Sequence, residues 1–187
     1  MTKTALLCVD DNDAILSDLK RVLRLAAGPL AHIETTHDAA TALKLLQSWL
    51  AQGYDIPVVL VDYLLPGVNG DDLLRDIHRL TPMTRKILMT GYNAPPDVDE
   101  LADAVRLFRF LSKPWNDTDL RVSIREAIKG YELEKRLHAD AQAQMRQSER
   151  LYRTLVRNLP ATAVLLFDHD MRYIIAEGPY LDAIGYT

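Results

Sequence analysis

VVLVDYLLPGVNG, residues 58 to 70, carries the strongest structural signal in the sequence. An apolar run ends abruptly at Asp62, and Pro66 and Gly67 follow within five residues. A carboxylate at the carboxyl end of a buried strand is costly to remove from water. We therefore interpret Asp62 as a functional residue, and the surrounding sequence indicates its chemistry.

The segments around this stretch alternate between two kinds of pattern from residue 4 to about residue 130. Five short apolar runs are typical of strands buried on both faces, namely TALLCV, HIETT, PVVLVD, KILMT and LFRFLS. Five amphipathic segments separate or follow them, namely AILSDLKRVLRLA, DAATALKLLQSWL, GDDLLRDIHRL, DVDELADAV and NDTDLRVSIREAI. This alternation predicts an α/β fold with a doubly wound, five-stranded parallel sheet.

The composition is that of an ordinary soluble globular protein, with 48% hydrophobic and 26% charged residues among 187. The net charge of -4 argues against nucleic acid as an electrostatic partner. No apolar run reaches the roughly 18 residues needed to span a bilayer, and the N-terminus becomes acidic too early for a signal peptide. We expect a cytoplasmic protein without membrane contact, in which the lone Cys8 is a small buried residue.

The sequence changes character after Lys129. Residues 131–157 are rich in Glu, Gln, Arg and Ala and predict a long, largely solvated helix that continues the preceding one. A thin apolar stripe runs along it, formed by Leu133, Leu137, Met145, Leu151 and Leu155. The stripe favours a weak coiled-coil contact and a homodimer, and an exposed linker helix without a partner is the alternative.

Polar side chains follow four of the predicted strands. Asp10 and Asp11 end the first, Asp62 the third, Thr90 the fourth and Lys113 the fifth. Ligands of doubly wound proteins bind outside the carboxyl ends of the strands, so these side chains should share one edge of the sheet.

Three carboxylates that lie close together repel one another unless a cation is present. Oxygen ligands without His or Cys point to a hard divalent metal, Mg²⁺ first. A metal and Lys113 together suit an incoming phosphoryl group, with a carboxylate as the nucleophile. We assign the metal to Asp10 and Asp11 and the nucleophile to Asp62, which ends the most apolar strand.

Four motifs, LLCVDDN, VVLVDYLLPGVNG, ILMTGY and FRFLSKPW, resemble the receiver domain of two-component response regulators in order and position. The resemblance covers residues 4 to about 130 and implies a flavodoxin-like receiver over residues 1–130. It implies that Asp62 is the phosphoacceptor, and that Asp11 binds Mg²⁺ directly while Asp10 helps through water. The backbone carbonyl of Leu64 would be a further metal ligand, and Lys113 would pair with the phosphoryl oxygen.

The same resemblance implies a conformational switch. Thr90 would be the hydroxyl that moves toward the acyl phosphate, and Pro114 would follow a cis peptide bond. Phe110 occupies the position of the switch aromatic, where many receivers carry Tyr. Because Phe lacks the hydroxyl, an inward swing of this ring would depend on packing alone.

Residues 158–187 resemble the first part of a PAS sensor domain, a partial α+β segment. The likeness lies in LVRNLP, in FDHDMRYI, where Asp168 and Asp170 supply turn chemistry, and in the closing AIGYT. Glu177, Gly178 and Pro179 stand where the family commonly has Asn, and the family's remaining helices and strands are lacking, so these residues do not support the assignment of a ligand site.

These resemblances imply a response regulator that accepts phosphate from a sensor histidine kinase or a phosphotransfer protein. It would signal through its C-terminal helix and would not itself be an enzyme. Two alternatives remain open, the receiver part of a hybrid histidine kinase and a magnesium-dependent phosphatase with an aspartate nucleophile. The phosphatase chemistry calls for a second acid two residues after the nucleophile, where Asp62 is followed by Leu64.

Overall fold

The computed structural model describes residues 3–91, 98–158 and 163–183. Nine strands lie in these ranges: β1 (Thr4–Val9), β2 (His32–Thr36), β3 (Asp55–Asp62), β4 (Leu64–Leu65), β5 (Val68–Asn69), β6 (Arg85–Thr90), β7 (Leu107–Ser112), β8 (Val164–Phe167) and β9 (Tyr173–Glu177). Five of them form a parallel sheet in the order β2-β1-β3-β6-β7. The predicted five-stranded parallel sheet is therefore confirmed, with β3 at its centre.

The helices of the described residues are α1 (Asp13–Ala27), α2 (Ala39–Ala51), α3 (Gly70–Leu80), α4 (Val98–Val105), α5 (Asp117–Asn158) and α6 (Pro179–Ala183). One apolar core joins the sheet to α2, α3 and α4, and the other joins it to α1 and α5. Successive β1 residues alternate between the two cores, with Leu7 in the first and Leu6 and Cys8 in the second. The sheet is thus covered on both faces, which is the physical reason that its strands are continuously apolar.

Residues with distinct local preferences mark the start of α2 and the end of α1. Asp38 caps α2 by accepting a hydrogen bond from the backbone N–H of Thr41 at 2.8 Å. Gly28 ends α1 with a positive φ of 85°, a conformation that glycine adopts readily.

The register of the strands aligns their carboxyl ends. Val9 of β1 pairs with Val61 of β3, so Asp10 lies beside Asp62. Asp62 in turn pairs with Met89 of β6, one residue before Thr90. The predicted functional residues of three neighbouring strands therefore meet at one edge of the sheet.

The chain that follows Asp62 forms a small hairpin that the sequence did not predict. β4 and β5 pair in antiparallel fashion, with Leu64 opposite Asn69 and Leu65 opposite Val68. Gly67 lies in its turn with a positive φ of 80°. The hairpin returns the chain to the end of β3, where α3 begins at Gly70.

Helix α5 is continuous over its 42 residues, as the sequence predicts for this part of the chain. The chain divides into two compact units, Met1–Lys135 and Arg136–Thr187. In the second unit, β8 and β9 form an antiparallel hairpin, and Asp168 accepts the backbone N–H groups of Asp170 and Arg172 in its turn. The first predicted residue of α4, Asp97, and the closing IGYT lie outside the described residues.

Among the described residues, no helix combines the length and the apolar character that a membrane-spanning segment requires.

Candidate functional site

Three carboxylates gather at the carboxyl edge of the sheet. Asp10, Asp11 and Asp62 each offer one oxygen, and these oxygens all lie within 4.8 Å of one another. Asp10 is fully buried, Asp62 is 6% exposed and Asp11 faces solvent. Within the described ranges, this is the cluster of acidic side chains whose spacing suits a metal ion.

Lys113 bridges two of these acids. Its Nζ lies 2.6 Å from Oδ2 of Asp10 and 2.7 Å from Oδ1 of Asp62. The backbone N–H of Lys113 also donates to the carbonyl of Thr90 at 2.7 Å, and the Lys113–Pro114 peptide bond is cis, as expected. Lys113, the first residue after β7, thus places its ammonium group between the carboxylates of Asp10 and Asp62.

Burial and neighbouring charges have opposite effects on the pKa values of Asp62 and Lys113. Burial raises the pKa of Asp62 and Asp10 adds to this effect, while the hydrogen bond from Lys113 opposes it without cancelling it. For Lys113, burial alone would lower the pKa, but the hydrogen bonds to Asp10 and Asp62 outweigh it and raise the pKa. An acid that is costly to ionise next to a lysine that is firmly protonated suits a site built to receive additional positive charge.

Asp10 is held in place by its own backbone surroundings. Its N–H donates to the carbonyl of Thr36 at 3.1 Å, and its Oδ1 accepts from the N–H of Asn12 at 3.0 Å. The cap of α1 is Asn12, whose side chain accepts from the N–H groups of Ala14 and Ile15. Asp10 therefore does not cap α1, and its second oxygen accepts a hydrogen bond from Lys113.

The remaining predicted residues surround this centre. Thr90 is 4% exposed at the end of β6, level with Ser112 of β7. Phe110 is partly buried on β7 and packs against the core that contains α3 and α4. Leu64 lies in β4 with its side chain 68% exposed. Thr90 contacts Lys113 through its backbone carbonyl, whereas Phe110 lies on β7 and Leu64 on β4.

Sequence reasoning missed Gly70, the first residue of α3. A Cβ at this position would collide with the backbone carbonyl of Asp62, and the Gly70 N–H donates to the carbonyl of Tyr63 at 2.7 Å. Only a glycine lets the returning hairpin approach Asp62 this closely. The available signal was a glycine at the start of an otherwise strong helical pattern, where it is a poor helix former.

A second missed residue, Lys86, lies near the opposite end of β6. Its side chain is fully buried, and its Nζ donates to the carbonyl of Thr84 at 2.9 Å and to those of Thr81 and Pro82 at 3.4 Å. Burial first, and then the charges of Arg85 and Arg106, lower its pKa to about 8. Lys86 holds the carbonyls that follow α3 and takes no part in the acidic site.

An open cavity of about 400 Å³ adjoins Lys113. Ile15 and Asp18 of α1, Gly91, Pro114 and Trp115 contribute to its walls. Because Lys113 lies in its lining, a group that enters this cavity approaches the ammonium that contacts Asp62.

The sheet order and the acidic edge define a flavodoxin-like α/β domain of the receiver type. Residues 6–125 match the response regulator receiver domain family. The chain belongs to that family.

Proteins of different kinds are similar to this chain. The chain is 25% identical over 182 residues to the hydrogenase transcriptional regulatory protein HoxA of Cupriavidus necator, across 97% of this chain and 36% of that protein. It is 28% identical over 123 residues to the sensor kinase CckA of Brucella abortus, across 65% of this chain and 12% of that protein. The chain thus spans about a third or less of the length of these relatives.

A solved structure extends the comparison to three dimensions. The signal receiver domain of an HD domain-containing protein from Pseudomonas fluorescens Pf-5 superposes with a TM-score of 0.60 at 29% identity. The match covers 70% of this chain and 98% of that domain.

Proposed function

We propose that the protein is a two-component response regulator in which Asp62 accepts a phosphoryl group from a sensor histidine kinase or a phosphotransfer protein. The observation that carries the proposal is Lys113, held at 2.6 and 2.7 Å between Asp10 and Asp62. Asp62 is then an acceptor carboxylate with a fixed cation beside it. The family membership of residues 6–125 supports the same function.

The donor set fits Mg²⁺. Three carboxylate oxygens within 4.8 Å of one another, with no His or Cys among them, are hard ligands for a small divalent cation. Asp10, Asp11 and Asp62 would hold the ion, with the backbone carbonyl of Leu64 as a further ligand. When bound, Mg²⁺ would neutralise charge on the carboxylates and on the phosphoryl oxygens.

The transfer itself uses the side chains of the chain. A carboxylate oxygen of Asp62 forms a bond to phosphorus as the bond from phosphorus to the donor imidazole nitrogen breaks, and that nitrogen keeps the electron pair. During this displacement, Lys113 stabilises the negative charge on the phosphoryl oxygens. Asp10 keeps the ammonium of Lys113 oriented toward Asp62, because its own carboxylate is fixed by the N–H of Asn12.

The conformational output of this step would begin at Thr90. Its hydroxyl would move toward the acyl phosphate, and Phe110, two residues before the strand-end Ser112 that pairs with Thr90, would repack. Such a change is a shift between two packed states of one fold.

The proposal is tested by phosphorylation with acetyl phosphate, or by beryllofluoride binding, in the presence of Mg²⁺. We expect the wild type to respond and Asp62→Asn not to respond. Asp13→Asn is the matched control, since Asp13 is exposed near the same edge and lies outside the carboxylate cluster. An equal response of Asp62→Asn and the wild type would refute the assignment.

Assays on the same purified protein distinguish the two alternative functions, the phosphatase and the hybrid histidine kinase. Turnover of a small phosphate ester at an appreciable rate, lost in Asp11→Asn, would favour the phosphatase. The likeness to the sensor kinase CckA favours a receiver within a hybrid histidine kinase. Phosphoryl transfer to Asp62 from a histidine within the same polypeptide would support that arrangement.

We further propose that the linker helix forms a homodimer. Leu133, Leu137, Met145, Leu151 and Leu155 of α5 are each between 59% and 77% exposed in the single chain. Sedimentation of the full chain and of a chain that ends at Lys135, the end of the first compact unit, tests this contact. Two monomers would contradict it.

For the segment after α5 we propose the start of a PAS-like sensor module. The β8–β9 hairpin and the short α6 follow the order of elements that the resemblance implies. A peptide of residues 158–187 should show no cooperative unfolding, because a two-stranded hairpin buries too little apolar surface to fold alone. A segment that unfolds cooperatively by itself would contradict it.

A further inference from the structure

A group of polar contacts joins α5 to the edge of the sheet opposite the acidic site. Lys135 Nζ lies 2.5 and 2.6 Å from the two carboxylate oxygens of Asp55, and the hydroxyl of Tyr131 lies 3.4 Å from the same carboxylate. Beside them, Arg85 donates to Glu134 at 2.8 Å. We call these five residues the basal clamp.

The clamp is more enclosed than an ordinary surface ion pair. The side chains of Arg85 and Glu134 are each 26% exposed, and those of Asp55 and Lys135 are 19% and 44% exposed. By contrast, the pair between Arg79 and Asp76 on α3 is 75% and 48% exposed. Burial and the charge of Asp55 also raise the pKa of Tyr131 to about 12. Because solvent screens buried pairs less, the clamp contributes more to helix position than a surface pair does.

The clamp takes over where apolar packing of α5 ends. The apolar residues of α5 that are buried in the core are Leu120, Ile124 and Ala127. Gly130 follows, next to the guanidinium of Arg85, and the clamp residues come after it. The first compact unit ends at Lys135, ten residues beyond the end of the receiver match at 125. Polar contacts of residues 131–135 therefore attach this middle part of α5 to the receiver.

Two strands connect the clamp to the acidic site. β3 begins at the clamp residue Asp55 and ends at Asp62, and β6 begins at the clamp residue Arg85 and ends at Thr90. The strands are hydrogen-bonded neighbours, and their residues from Val58 to Val61 and from Ile87 to Met89 are essentially inaccessible to solvent. A close-packed pair of strands shifts as a unit and does not deform smoothly.

We propose that the basal clamp regulates the phosphoacceptor site, so that a phosphoryl group on Asp62 and a closed clamp disfavour each other. The inference rests on the proposed function. A phosphoryl group that draws Thr90 toward Asp62 pulls β6 toward its carboxyl end and draws Arg85 away from Glu134. The clamp then opens, and α5 is released from Gly130 onward.

Coupling of this kind is reciprocal, because each site changes the affinity of the other by the same factor. Beryllofluoride with Mg²⁺ should therefore speed amide hydrogen exchange at residues 131–135. Conversely, opening the clamp with Asp55→Asn or Glu134→Gln should tighten beryllofluoride binding by about three- to tenfold, within the usual range of such couplings.

Glu149→Gln is the matched control. Glu149 also lies on α5 and pairs with an arginine, but its partner Arg153 is one turn along the same helix. We expect this variant to bind beryllofluoride as the wild type does. The two clamp variants break different contacts, so a folding defect in one leaves the other informative, and circular dichroism identifies such a defect.

The outcomes separate the two proposals. Clamp variants that exchange faster at residues 131–135 yet bind beryllofluoride as the wild type does, or more weakly, would overturn the coupling and leave the phosphoacceptor intact. A wild type that binds beryllofluoride no better than Asp62→Asn would overturn the proposed function, and the regulation with it.

Discussion

Replacing Asp62 with asparagine should stabilise the metal-free protein. Asp62 is 6% exposed, and its raised pKa means that the folded state disfavours its charge. Asparagine has nearly the same shape and still offers an oxygen to Lys113, which keeps Asp10 as an ionic partner at 2.6 Å. The substitution thus removes a costly charge and leaves the surrounding contacts largely in place.

The magnitude follows from the charges around Asp62. With an effective dielectric constant of about 20, attraction by Lys113 at 2.7 Å is about 6 kcal/mol. Repulsion from Asp10, whose carboxylate oxygen lies within 4.8 Å, opposes this attraction by about 3.5 kcal/mol. The pKa of Asp62 is nevertheless raised, so desolvation outweighs the attraction that remains and decides the sign. We expect a gain of about 1–2 kcal/mol, because Lys113 keeps Asp10 as its ionic partner and no buried charge is left without compensation.

Urea unfolding with a chelator present, followed by tryptophan fluorescence, measures this gain. Both tryptophans, Trp49 and Trp115, lie in the first compact unit, so the signal reports on the receiver alone. A gain of this size raises the urea midpoint by about 0.5–1 M. Asp13→Asn is the control: because Asp13 is a first-turn acid of α1 that contacts His37, its replacement should lower the midpoint slightly and should not raise it.

The pH dependence gives a second check. Because the folded pKa of Asp62 is raised, the folded state holds its proton to higher pH than the unfolded chain does. The cost of the charge is therefore absent below the unfolded value of about 3.9 and appears as pH rises through the folded pKa. The advantage of Asp62→Asn should shrink from pH 7.5 toward pH 4.5. A variant less stable than the wild type at pH 7.5, or an advantage independent of pH, would refute the reasoning.

Three further predictions concern single positions. Gly70→Ala should lower stability by about 1–3 kcal/mol and weaken beryllofluoride binding, because its Cβ collides with the Asp62 carbonyl; Gly91→Ala, with open space at its Cβ, should change urea stability little. The stability of the wild type relative to Lys86→Met should rise between pH 7 and pH 9.5. In this range the unfolded chain keeps the proton on Lys86, whereas the folded chain, in which the pKa of Lys86 is lowered to about 8, loses it. Urea midpoints of the two proteins that shift equally with pH would contradict this. Gly130→Ala should raise helix stability by up to about 1 kcal/mol, measured by thermal circular dichroism, since the added Cβ meets the Arg85 guanidinium no closer than 3.4 Å, about an ordinary van der Waals contact. A lower melting temperature would count against it.

The strand and helix pattern of the receiver was predictable because the apolar and polar residues of each element show which of its faces are buried. Strands buried on both faces are continuously apolar, as in TALLCV and PVVLVD, and the helices show a single apolar stripe. The gathering of Asp10, Asp62 and Lys113 was also predictable, since parallel strands bring their carboxyl ends to one edge. That inference needed only the order of elements and the residues that follow them.

Contacts between distant segments were not predictable in this way. Lys86 resembles a surface lysine in RKILMT, yet the strand that carries it is covered on both faces, and three carbonyls receive its ammonium. Gly70 resembles an ordinary turn residue until the hairpin after Asp62 brings it against the backbone of β3. Periodicity assigns a residue to a face, but it does not identify the atoms that this face meets.

By itself, then, the sequence determined a five-stranded α/β receiver, an acidic edge and a long helix after it, because burial and strand order leave local marks. Only the tertiary structure decided that Lys113 lies between Asp10 and Asp62, and that Lys135 reaches Asp55 across 80 positions of sequence. Those pairings depend on how helices dock onto the sheet. Docking is set by the sum of many packing contacts, and no single segment of the chain encodes it.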